Sequence, residues 1–243
     1  MVVWFFILTC YMQQVKQLAL DVIGLLFPNL CNACGLHLYG GEKAICLHCL
    51  HDLPYTDFHL HQDNLVAKQL WGRLPFEAAM AMLYFKKGTK TQQLIHNLKY
   101  NGKTAVGVTL GNLLANKLKE SAYYQDIDYI IPVPLHQKKE RQRGYNQSLY
   151  IADGIAEQMN VPVHKNQLIR KKITETQTRK SRYNRYENML TVFEIADSAM
   201  LQNKHILLID DVITTGSTIE ACGNSLLKCG VNKLSIASVA FAQ

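Results

Sequence analysis

The chain has 243 residues, 48% of them hydrophobic and 19% charged. That length and balance suit one large α/β domain with a small appendage and exclude a disordered chain. A formal net charge of +7 favours anionic partners (nucleotides, pyrophosphate, nucleic acid or a membrane surface) without choosing among them.

Residues 1–27 form an N-terminal segment. Residues 1–11, MVVWFFILTCY, are apolar but too short to span a bilayer. They lack the basic start and small-residue cleavage site of a signal peptide. A membrane-associated tail is one reading; translation starting at Met12 is the simpler one. A helix is expected from about residue 14 to 27, with Val15, Leu18, Val22 and Leu26 on one face.

Residues 28–53 read as a metal-binding module. Cys31-x-x-Cys34 and Cys46-x-x-Cys49 are two tight-turn pairs, and four thiolates close a tetrahedral Zn²⁺ site with no position open for water. The site is therefore expected to be structural. Two disulfides or an iron–sulfur cluster compete with this reading; disulfides need an oxidising compartment, and no leader supports one. A cytoplasmic location and no stable membrane span are expected.

Residues 54–75 show little periodicity and read as a connector. From residue 76 to 243 strands and helices alternate. Strands are expected at 79–85, 127–133, 161–164, 191–193, 206–209 and 234–241, and helices at 91–100, 106–118 and 147–159. The fold class is α/β, with a mostly parallel sheet flanked by helices. Twelve of the 26 Lys and Arg residues lie between His136 and Tyr186, against four acids, with Tyr145, Tyr150, Tyr183 and Tyr186 interleaved. Single-strand nucleic-acid binders carry such patterns, and so do ordinary solvated faces.

The stretch ILLIDDVITTGSTIEACGNSLLKCG carries the most chemistry. Its apolar run reads as a strand buried on both faces. Ile219, Cys222, Gly223 and Leu226 then repeat at helical spacing, with Gly230 at the expected end. Residues 210–218 are thus expected to form a turn from the carboxyl end of a strand to a helix start, the place where open α/β sheets bind ligands. Thr214, Thr215, Gly216, Ser217 and Thr218 offer hydroxyls, free helix N–H groups and a glycine for unusual backbone angles, which together suit a phosphate. Asp210 and Asp211 would repel that phosphate, so they should address a sugar diol or a metal ion on the same ligand. The plain alternative is a helix capped by Ser217 or Thr218. Neither a Walker A motif nor G-x-G-x-x-G is present.

LLIDDVITTGST resembles the phosphoribosyl-pyrophosphate signature of type I phosphoribosyltransferases. With the four cysteines, LKYNGK (98–103), IIPVPLH (130–136), RGYNQS (143–148), Thr174-x-x-Gln177, Arg185, Asn188 and Phe193, the chain from about residue 12 onward resembles the ComF family (ComFC/GntX-like). Tyr145 and Lys180 depart from its usual residues. The resemblance implies that Thr214–Thr218 hold a ribose 5-phosphate and that Asp210 and Asp211 serve the ribose hydroxyls. It also implies Mg²⁺ bridging diol and pyrophosphate, and a pyrophosphate turn at Val133-Pro134 with Arg143 closing over it. The implied chemistry is displacement of pyrophosphate at the anomeric carbon. Neither an acceptor-binding hood nor a glutamine-amidotransferase nucleophile is readable, which argues against a purine-synthesis amidotransferase. Two functions follow from the resemblance: a phosphoribosyltransferase with an unread acceptor, or a DNA-uptake factor of natural transformation. The second would bind single-stranded DNA or competence-machinery proteins and keep the phosphate site for regulation.

Overall fold

The computed structural model describes residues 28–170 and 193–242, together with Gly24. The expected helix at 14–27, Cys10 and the basic stretch 171–192, with Thr174, Gln177, Arg185 and Asn188, lie outside the described residues. So does any judgement on whether residues 1–11 are translated.

Four strands make a parallel sheet in the order β1-β6-β5-β2. They are β1 (Ala78–Phe85), β2 (Tyr129–Pro132), β5 (His205–Ile213) and β6 (Lys233–Ala242). β5 and β6 are buried along nearly all their length. Their apolar runs (Ile206–Ile209, and Leu234 with Ile236, Val239 and Phe241) are what a strand covered on both faces requires. Residues 161–164 contribute one parallel bridge, Val163 to Ile130, rather than the expected strand. Pro162 explains why: its carbonyl accepts from Ile130 N–H, but proline has no N–H with which to extend a ladder. A two-stranded antiparallel ribbon, β3 (Leu168–Arg170) with β4 (Phe193–Ile195), flanks the stretch 171–192.

The helices are α1 (Leu47–His51), α2 (Leu65–Leu70), α3 (Lys90–Tyr100), α4 (Thr104–Glu120), α5 (Gln137–Arg143), α6 (Gln147–Met159) and α7 (Ser217–Lys228). α4 and α6 pack on each other at two glycines. A Cβ on Gly111 would stand 2.2 Å from Ile151 O, and one on Gly154 2.2 Å from Val108 O. α7 packs against β4, β5 and β6.

The connector at 54–75 is not a bare linker. Thr56 N–H donates to Met82 O, and Pro54 O accepts from Tyr84 N–H, both at 2.9 Å, so the chain lies along the free edge of β1. Asn64 then caps α2: its Oδ1 accepts from Val66 and Ala67 N–H, while its Nδ2 donates to Phe58, His61 and Ala79 carbonyls. Such a cap is worth about 1 kcal/mol, and here it also pins the segment to the sheet. Val66, Ala67 and Leu70 are fully buried. A helix of six residues is too short for its periodicity to be read in sequence.

Candidate functional site

All four parallel strands end at the same side of the sheet, and the chemistry-bearing residues collect there. β5 runs on through Ile213, so Asp210 and Asp211 belong to the strand and not to the expected turn. Being successive strand residues, they meet different neighbours. Asp210 Oδ1 accepts from Ser148 Oγ at 3.2 Å and from Asp211 N–H at 2.8 Å. Asp211, 4% exposed, meets the Lys99 ammonium at 2.9 Å on Oδ1 and 2.8 Å on Oδ2. Burial of its carboxyl group, with the Asp211 charge beside it, pushes Asp210 up to about 7.

The turn itself is short. Gly216 sits at the N-cap of α7 with φ +74°, a left-handed conformation that favours glycine. Ser217 and Thr218 are therefore helix residues, not caps. Thr214, Thr215 and Thr218 are exposed, and the Thr215 and Ser217 hydroxyls pair at 3.1 Å. Gly216 supplies no side-chain cap; Ser217 N–H reaches Thr215 Oγ1 at 3.5 Å, and the other N–H groups of the first turn are left for an anion.

The turn after β2 is placed beside this site. Val133 is buried and its N–H donates to Ile209 O at 2.8 Å, while its carbonyl accepts from Asn146 Nδ2 at 3.0 Å. Val133 therefore anchors the turn, and its own N–H is committed to β5. Pro134 follows, partly exposed. Arg143 ends the short helix α5, which Gly144 closes at φ +81°. Its guanidinium lies 4.9 Å over the Tyr100 ring, and Nη2 donates to Tyr100 Oη at 3.3 Å. Tyr145 Oη donates to Leu98 O, so RGYNQS and LKYNGK form one packed unit around the carboxylates.

Four residues of this site had no role in the sequence reading. Lys99 and Ser148 were visible only as members of quoted motifs. Arg73, in the connector, donates to Thr215 O at 2.8 Å and pairs with Glu220 at 2.5 Å; its neighbour Gln69 donates to Thr214 O at 2.5 Å. Two carboxylates and sugar hydroxyls are hard oxygen donors of the kind Mg²⁺ prefers, so the residues fit that ion.

The cysteine cluster stands apart. Cys31, Cys34, Cys46 and Cys49 bring their sulfurs within 4.8 Å of one another, and Cys34 and Cys46 Sγ are 3.9 Å apart. Four thiolates on a tetrahedral Zn²⁺, at about 2.3 Å each, would lie about 3.8 Å apart, whereas a disulfide needs about 2.05 Å. Backbone N–H groups of Ala33 and Cys46 point at Cys31 Sγ, and that of Cys49 at Cys46 Sγ. Burial raises the Cys31 thiol, but hydrogen bonds from the Cys46, Cys34 and Ala33 backbone and from the Cys34 side chain outweigh it and bring the group down to about 7. Asn97 Nδ2 donates to Asn32 O at 2.8 Å, and Lys90 pairs with Asp52 at 2.9 Å, which docks the module on α3. A polar groove of about 890 Å³ runs between the module and the starts of α3 and α4, and neither Asp210 nor Asp211 lines it.

Comparison with known proteins fits this geometry. The phosphoribosyl transferase domain model matches residues 145–243, the span that holds β5 and its turn. DNA utilization protein YhgH of Escherichia coli K12 is 28% identical over 219 residues, covering 84% of this chain and 92% of that protein. Competence protein ComFC of Bacillus subtilis is 32% identical over 111 residues, 45% of this chain and 43% of that protein. Among solved structures, the glutamine phosphoribosylpyrophosphate amidotransferase of B. subtilis aligns with 59% of this chain and 30% of its own at 18% identity, with a TM-score of 0.43. Among the described residues no helix is long and apolar enough to cross a membrane. The architecture is a mostly parallel sheet flanked by helices, with a phosphoribosyl transferase domain match over its second half, preceded by a four-cysteine cluster. Competence protein F of Haemophilus influenzae is 31% identical over 153 residues, 61% of this chain and 67% of that protein, and with it the chain belongs to the ComF family.

Proposed function

We propose that the protein binds phosphoribosyl pyrophosphate with Mg²⁺ at the carboxyl end of β5, and that it serves DNA uptake in natural transformation. The observation that carries the ligand is one strand–turn–helix unit in which two carboxylates precede an open N–H and hydroxyl turn. Thr214, Thr215, Gly216, Ser217 and Thr218 hold the 5-phosphate. Asp210 and Asp211 orient the ribose diol, and Lys99 keeps Asp211 from standing as an isolated buried charge. The turn at Val133-Pro134 and Arg143 face the pyrophosphate. In transfer, the bond from the anomeric carbon to pyrophosphate breaks, the leaving oxygen takes the electron pair, and an acceptor atom bonds to the carbon. Bound Mg²⁺ supplies charge neutralisation on the leaving pyrophosphate. Structural Zn²⁺ on the four cysteines and a cytoplasmic location complete the reading.

The names of the relatives, Competence protein F and DNA utilization protein, support a role in DNA handling, by catalysis or by ligand-regulated binding. The deciding assay is release of pyrophosphate from phosphoribosyl pyrophosphate by purified protein, with and without candidate acceptors. Release that depends on Asp210 and Asp211 marks an enzyme. Binding without release marks the regulatory alternative, and neither sinks the ligand.

A second reading, contact with single-stranded DNA, has its own observation. α5 has no buried residue and presents Lys138, Lys139 and Arg141 to solvent, next to the Arg143–Tyr100 stack. Phosphate contacts of that kind make affinity fall steeply with salt. Lys138→Glu with Lys139→Glu should weaken single-stranded DNA in filter binding; equal binding by wild type and variant would remove this role from α5. The expected contribution of Lys171 and Lys172 lies outside the described residues.

A further inference from the structure

We infer that Gln69 and Arg73 of the connector are positioning residues for the phosphate turn, acting through its carbonyl groups and not on the ligand. This rests on the reading of Thr214–Thr218 as the 5-phosphate site. A peptide turn that offers N–H groups to an anion must turn its carbonyls elsewhere, and those carbonyls need donors. Here the first two are taken from one side: Thr214 O by Gln69 Nε2 and Thr215 O by Arg73 Nη1. The same side is closed sterically. A Cβ on Gly216 would stand 2.9 Å from Leu70 Cδ2 and 3.6 Å from Arg73 Nη1. The turn therefore rests on α2 and opens the other way.

Arg73 has a second effect. Glu220 lies in the first turn of α7 and is 7% exposed. A carboxylate there disfavours an anion at the same helix start. Arg73 Nε and Nη2 both bond to Glu220 Oε2, at 2.9 and 2.5 Å, so the guanidinium neutralises that charge while its third nitrogen holds Thr215 O. Only a planar fork serves both partners at once. Arg73 Nη1 also donates to Gln69 O at 3.1 Å, which ties the two braces together. Helix α2, which carries Gln69 and which Arg73 follows by three residues, is fixed to β1 by Asn64 Nδ2 on Ala79 O at 2.7 Å.

The test compares full-length wild type, Gln69→Ala and Arg73→Lys by calorimetry with two probes, ribose 5-phosphate and Mg²⁺-pyrophosphate. Gln69→Ala leaves the Arg73–Glu220 pair intact, so a folded variant is assured even if Arg73→Lys unfolds; thermal melts monitor both. Each variant should bind ribose 5-phosphate about tenfold more weakly, the effect of losing one hydrogen bond to the turn. Pyrophosphate affinity should not change, because among the described residues no hydrogen bond joins the turn after β2 to Gln69 or Arg73. A general loss of structure would weaken both probes together. Wild-type affinity for ribose 5-phosphate in Gln69→Ala, or equal losses for the two probes, overturns the brace while leaving the site standing. Failure of wild type to take either probe overturns the site reading, and the brace with it.

Discussion

Replacing Lys99 by methionine isolates what the acid pair needs in order to exist. The change keeps the length of the side chain and deletes its charge. Asp211 is then a carboxylate with a 6% exposed side chain and no counter-charge at 2.8 Å; in the wild type the Lys99 side chain is itself only 20% exposed. Removing one member of such a buried pair costs about 3–5 kcal/mol. Against a domain stability of roughly 5–15 kcal/mol, the variant should fold but unfold at clearly lower urea. Lys99→Met with Asp211→Asn removes both charges and should recover most of the loss, because a neutral amide can be accommodated where a lone carboxylate cannot. Equilibrium urea unfolding of wild type, Lys99→Met, Asp211→Asn and the double variant gives the coupling energy directly. A single-variant loss below about 0.5 kcal/mol, the range of ordinary surface substitutions, would refute the view that Lys99 holds Asp211. Additive losses in the double variant would refute it too.

Three further outcomes follow from the same geometry. Asp210, at about 7 in the folded protein against 3.8 ordinarily, retains a proton that the unfolded chain releases. Its contribution is therefore greatest below about pH 4 and is lost as pH rises to about 7, by at most about 4 kcal/mol; Asp210→Asn should flatten that slope in urea titrations at pH 5 and 8, and an unchanged slope would count against it. Gly154→Ala puts a methyl 2.2 Å from Val108 O, so α4 and α6 must separate at a cost of about 1–3 kcal/mol; a melting temperature equal to wild type would show that the helices do not cross there. Protein purified without chelator should carry about one equivalent of zinc, the stoichiometry of a single four-thiolate site, and Cys31→Ser should lose it while the parallel sheet keeps its circular dichroism; iron in its place would overturn the zinc assignment.

What could be read from the residues, and what could not, divides along physical lines. The strand–turn–helix unit was legible because each of its parts has a local cause. Ile206–Ile209 is apolar enough for a central strand, Gly216 is the residue that a left-handed N-cap favours, and Ile219, Cys222 and Leu226 give the helical period. The four cysteines were legible because paired spacing is itself the geometry. The end of β5 was misjudged because two aspartates look like a turn. They remain in the strand because Ser148 and Lys99, 62 and 112 positions away in sequence, supply their partners. The connector was misjudged for a similar reason. Asn64, Gln69 and Arg73 form no pattern with their neighbours, and their partners are Ala79, Thr214, Thr215 and Glu220. A site of this kind is thus written twice. The groups that would touch a ligand sit in one contiguous motif, whereas the groups that set their charge and direction come from segments chosen by the fold. Substitutions in the second set are the more informative, because they alter the site without removing a single atom that the ligand would touch.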